Sequence, residues 1–178
     1  MPGQRIPEKG YNLDVARRLD SLLRRSGFRT VLTRQGDYFV TLDERCAISN
    51  RQPNAIFVSI HFNGAPNAGA SGIETFYCRG RESAALAYAL QQKIVAATGS
   101  EYRKVGCRSL RVLRCNYHPA VLCELGFLTN RPESQQIENS IYRDRLAGAI
   151  ASVITARYRQ SLVAVQFPVP HTQSKTKR

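Results

Sequence analysis

The sequence predicts an α/β fold, a single layered domain with a central, largely parallel (mixed) sheet flanked by helices. Short apolar runs bounded by turn residues read as strands, and between them apolar residues recur at helical spacing. A length of 178 residues suits one core and is too short for two ordinary domains. No internal repeat is visible. The folded domain is expected over residues 1–160 and a basic tail over 161–178.

The first helix is predicted over Tyr11 to Ser26, where Leu13, Ala16, Leu19, Leu22 and Leu23 alternate with arginines and Gly27 offers a C-cap. Phe28 to Thr33 is β-rich and reads as a strand. Thr41 and Glu44 have capping-box spacing, which starts a helix running to about Asn50. Ala55 to Ile60 is almost continuously apolar between Pro53-Asn54 and Asn63-Gly64, a pattern suited to a strand buried on both faces that ends in His61. Gly72 to Cys78 reads as a strand, Glu82 to Thr98 as a helix stopped by Gly99, and Leu110 to Leu113 as a short strand. Ala120 to Cys123 reads as a buried strand ending in Glu124. A last helix is predicted from about Ile137 to Tyr158, with Leu146, Ala149, Ile150, Val153 and Ile154 as its core stripe. From Val163 to Arg178, prolines and a basic end without periodicity predict disorder.

The longest apolar stretches, such as Ala147 to Ile154, fall well short of the roughly 20 residues a bilayer span needs. Met1 to Lys9 lacks the apolar stretch of a secretory signal. Five cysteines without C-x-x-C spacing suggest neither a disulfide framework nor a cysteine zinc site. The net charge of +13 favours a polyanion, whether nucleic acid, anionic lipid or a wall polymer, although a solvated basic face explains part of it. Basic residues are not interleaved with aromatic ones as base-stacking surfaces require, so no nucleic-acid partner is expected.

Open α/β sheets bind ligands beyond the carboxyl ends of their strands, where His61 and Glu124 are both expected. A neutral imidazole is a good zinc ligand, and a carboxylate beside an activated water accepts its proton. Structural readings of these residues stay open: His61 as an ordinary hydrogen-bonded histidine, Glu124 paired with Arg45 or Arg34, and Glu8 placed by a helix dipole.

Five blocks in order resemble the amidase 3 family of zinc-dependent N-acetylmuramoyl-L-alanine amidases. They are Glu8 to Leu13; Leu32-Thr33-Arg34 with Asp37; Leu42 to Arg45 leading to Asn50; Ser59 to Asn63; and Pro119 to Asn130. The resemblance implies that Glu8 and His61 are ligands of Zn2+ and that Glu124 is the catalytic acid/base. It implies cleavage of the amide between N-acetylmuramic acid and L-alanine in a peptidoglycan (muropeptide) substrate, in the periplasm or cell wall/extracellular space; a monomer is expected. In the family a first zinc histidine stands in a D-x-G-H-G-G segment at the end of an opening strand. Here Met1 to Glu8 resembles only the loop after it, so that strand and ligand are expected to be missing. His118 is expected to lie too far along its strand to substitute. A non-catalytic peptidoglycan-binding member is the alternative. No room is left after Glu82–Gly99 for the long helix that occludes the zinc in some family members, so an open groove is expected.

Overall fold

In the computed structural model the described residues are 7–165, with side chains to residue 157. The basic tail expected over 161–178 therefore lies, from residue 166 onward, outside the described residues. The elements are α1 (Glu8–Arg25), α2 (Leu42–Asn50), β1 (Phe57–Asn63), β2 (Ile73–Tyr77), α3 (Arg81–Thr98), β3 (Tyr102–Cys107), α4 (Arg111–Arg114), β4 (Ala120–Phe127), α5 (Arg131–Glu138) and α6 (Ser140–Val165).

The strands form one sheet in the order β1-β4-β2-β3. β1 runs parallel to β4 and β2 parallel to β3, while β2 and β4 are antiparallel. The α/β class with a mixed sheet is as expected, though parallel pairs outnumber antiparallel ones only two to one.

Side-chain alternation along the strands divides the molecule into two apolar layers. Val121, Cys123 and Leu125 of β4 face α1, α3 and α6, joining Val15, Leu90, Ile94, Leu146 and Ile150 in the main core. Ala120 and Leu122 face the other way, with Phe57, Phe76, Val112, Leu113 and Cys46, beneath α2 and α4. Gln91, fully buried on α3, accepts from Thr75 Oγ1 at 2.7 Å and donates to the Ile73 carbonyl at 2.6 Å, which fixes α3 on β2 without an unsatisfied amide.

The α2 capping box forms as its spacing predicts, with Glu44 N donating to Thr41 Oγ1 and Thr41 N to Glu44 Oε2. Elsewhere the structure differs from expectation. Phe28 to Thr33 is not a strand, because a groove separates it from β1, the sheet's edge strand, and leaves it without a ladder partner among the described residues. Leu110 to Leu113 is not a strand either: the Leu110 carbonyl accepts from Leu113 and Arg114, closing the single helical turn of α4. β3, largely polar on its exposed edge, escaped the apolar-run criterion. The final helix is two, broken at the extended Asn139, whose Oδ1 accepts from Ile141 N and restarts the helix as α6. α6 then continues to Val165 rather than ending near Tyr158.

Arg143 joins the three helices at this break. Its guanidinium donates to the carbonyls of Ile137 and Glu138, pairs with Asp14 of α1 and lies 5.5 Å from the Tyr11 ring centroid. Arg143→Ala strips donors from two carbonyls and a carboxylate around a residue only 9% exposed. It should lower unfolding free energy by about 2–4 kcal/mol in a denaturant titration, with the slope unchanged.

Candidate active site

His61 and Glu124 lie within their strands rather than at the ends, as directly paired residues of the parallel β1–β4 ladder. The ladder shifts register between His61 and Asn63. Strand alternation puts both on the face that carries Phe57 and Leu122, above the layer formed by α2 and α4. Glu8 comes from outside the sheet. The helix it opens starts three residues earlier than the apolar pattern predicts, so the carboxylate occupies the first turn of α1, where the helix dipole favours it.

These three residues form one constellation. Glu8 Oε1 lies 3.2 Å from His61 Nδ1 and accepts from Asn12 Nδ2 at 2.9 Å. The hydrogen bond with His61 is the main cause that holds the Glu8 carboxyl below its ordinary range, against the opposing effect of burial. Glu124 is in the contrary condition. Its Oε2 is buried with no hydrogen-bond partner among the described residues. Burial pushes its pKa up to about 7; His61 opposes the rise, while the negative charges of Glu8 and Glu74 add to it.

Sequence reasoning missed Glu74, which faces Glu124 across the antiparallel β2–β4 pair. It is 5% exposed, and its carboxylate accepts from Arg103 Nε, Lys104 Nζ and Asn63 Nδ2, each at 3.0 Å. The cluster ties the end of β1 to β2 and β3 beside the Glu124 carboxyl. The signal available in the sequence was the Asn63 of the S-I-H-F-N block; the partner across the sheet carries no local signature. The salt bridges considered for Glu124 with Arg34 or Arg45 do not form: Arg34 donates to the carbonyls of Gly36 and Lys9, and Arg45 to the Val40 carbonyl and Thr33 Oγ1.

A groove of about 1850 Å³ runs along the free edge of β1, between that strand, α1 and residues 28–34, and reaches Glu8 and His61. Leu13, Leu19, Ile56, Val58 and Ile60 make it largely apolar. His118 lies two residues before β4 and lines the same groove, six residues ahead of Glu124, about 20 Å for an extended chain.

The geometry can serve hydrolysis of an amide. A carboxyl that titrates near neutrality exchanges protons in both directions, and an adjacent carboxylate–imidazole pair can hold a cation. The chain is a member of the amidase 3 family, N-acetylmuramoyl-L-alanine amidase, whose profile matches residues 2–156. It is 32% identical over 160 residues to N-acetylmuramoyl-L-alanine amidase LytC of Bacillus subtilis, a match that covers 88% of this chain and 32% of LytC, so the chain spans about a third of that protein's length. Among solved structures, N-acetylmuramoyl-L-alanine amidase from Clostridium difficile 630 superposes with a TM-score of 0.82 at 33% identity, over 85% of this chain and 84% of that one. The catalytic domain of CwlV, an amidase of the same name from Bacillus (Paenibacillus) polymyxa var. colistinus, gives 0.81 at 33% identity, over 85% of each chain.

Proposed function

We propose that this chain hydrolyses the amide bond between N-acetylmuramic acid and the L-alanine of the stem peptide in peptidoglycan, with Glu124 as general acid/base and Glu8 and His61 as ligands of Zn2+. The observation that carries the reading is the pairing of a buried, unpartnered Glu124 oxygen with an adjacent Glu8–His61 pair.

The two proposed ligands suit the metal. A carboxylate and an imidazole whose donor atoms face one another at 3.2 Å are ligand types that would hold zinc. Among the described residues no group of three or more His, Cys, Asp and Glu is arranged to hold a metal, so the described residues offer two ligands where catalytic zinc commonly takes three. When bound, zinc would polarise the scissile carbonyl and acidify the attacking water. The rest falls to protein groups. Glu124 accepts the proton of the attacking water and returns it to the leaving L-alanine nitrogen, a transfer suited to a pKa near 7. Asn12 holds Glu8 toward His61, and the Glu74 cluster fixes the neighbouring strand ends.

The excess of positive charge helps the chain hold an anionic wall polymer. The groove stays open because only β3 and the single-turn α4 intervene between α3 and β4. No helix among the described residues is long and apolar enough to cross a membrane. We place the activity in the periplasm or cell wall and take the working unit to be a monomer.

The second reading, a peptidoglycan-binding member without catalysis, is favoured by the two-ligand count. One paired measurement separates the two: zinc per chain after equilibration with trace zinc, and release from peptidoglycan of peptides with a free L-alanine amino terminus. Near one zinc with release is the expected result. Binding of peptidoglycan without zinc or release would establish the second reading.

A further inference from the structure

A second chemically competent cluster lies on the α2–α4 side of the sheet and takes no part in the hydrolytic site. Cys46 is buried on α2, and its Sγ approaches the carbonyls of Arg111 and Val112 at 3.9 and 3.8 Å. Cys115, the C-cap of α4, donates its backbone N–H to the same Arg111 oxygen at 3.1 Å, so the two cysteines converge on one atom. Asn50 Nδ2 donates to the Cys115 carbonyl at 2.9 Å, and Ser49 Oγ to Asn116 Oδ1 at 2.7 Å, which clamps the segments around the pair. Cys46 belongs to the apolar cluster under the sheet, and Cys115 packs against it. Burial pushes the Cys46 thiol up, and the neighbouring Cys115 adds to the rise.

We infer that Cys46 and Cys115 form a covalent modification site, a vicinal thiol pair that is oxidised by small disulfides to an intramolecular cross-link between α2 and α4. The half-exposed Cys115 meets the oxidant first. Its thiolate attacks one sulfur of the small disulfide, forming a mixed disulfide and releasing one small thiol. The Cys46 thiolate then attacks the Cys115 sulfur and displaces the second small thiol. The protein loses two hydrogens and two electrons, and the small disulfide gains them. Cys123 cannot compete, since it is fully buried within the sheet and its thiol is pushed up to about 12. Cys107 is exposed and donates to the Cys78 carbonyl at 2.9 Å, which makes Cys78 and Cys107 the internal comparison.

The cross-link closes a loop of about 70 residues and should raise the Tm by on the order of 10 °C. The test incubates the reduced full chain with oxidised glutathione, counts free thiols in denaturant and maps peptides without reduction. Two of the five thiols should disappear into one peptide pair joining Cys46 to Cys115, with no glutathione retained. In Cys46→Ala, Cys115 should instead keep glutathione as a stable mixed disulfide. Cys115→Ala should abolish the reaction and Cys107→Ala should leave it intact, so the inference stays testable even if Cys46→Ala folds poorly. Glutathione retained on Cys115 of the wild type, or a cross-link mapping to Cys78 and Cys107 or between two chains, would overturn it.

Discussion

Glu124→Gln should cost about two to four orders of magnitude in amide hydrolysis and, at the same time, stabilise the folded chain above neutral pH. The two effects have one origin. A carboxyl with a pKa near 7 in the folded state, against 4.5 ordinarily, binds its proton more tightly when folded. The stability this gives is fully present below about pH 4.5 and is lost as pH rises through 7. By pH 8 the buried charge costs roughly 3 kcal/mol, from about 1.4 kcal/mol per unit of displacement. Glutamine keeps the shape and carries no charge, so the difference between variant and wild type should be small at pH 4.5 and approach that figure at pH 8. Denaturant titrations of metal-free protein at the two pH values measure it, metal-free because a bound cation would itself offset the charge. Equal stabilities at pH 8, or undiminished hydrolysis, would contradict the role given to Glu124.

His61→Ala should remove the response to zinc and leave the metal-free fold almost unchanged. The side chain is 41% exposed and its ring contact is with Glu8, so its deletion opens no core cavity. Zinc at about one hundred times its dissociation constant should stabilise the wild type by roughly 2.7 kcal/mol. In the variant that gain should vanish, together with hydrolysis, and the Glu8 carboxyl should rise toward its ordinary range as it loses its main hydrogen bond. Zinc stabilisation of His61→Ala equal to that of the wild type would remove the imidazole from the ligand set.

Much of this was legible in the sequence. The capping box at Thr41–Glu44, the amphipathic α1 and the apolar run of β4 are local patterns, and local patterns report local hydrogen bonding and burial. Glu8, His61 and Glu124 could be singled out because they interrupt such patterns at chemically informative places or match a family motif. The misread segments fail for the opposite reason. Phe28 to Thr33 has the composition of a strand, but a strand exists only where a neighbour accepts its hydrogen bonds, and there the neighbour lies across a groove. Polar β3 pairs with β2 because that edge is available.

The sequence by itself therefore determined the α/β class and most of the helices and singled out three candidate site residues, since these depend on side-chain periodicity and motif. The tertiary structure alone decided that Glu8 reaches His61, that Glu74 stands beside Glu124 and that Cys46 and Cys115 share one apolar cluster. Each of those placements joins residues from separate elements, and the physical properties that follow, a carboxyl held down, another carboxyl and a thiol pushed up, arise from burial and proximity that no local stretch of sequence encodes.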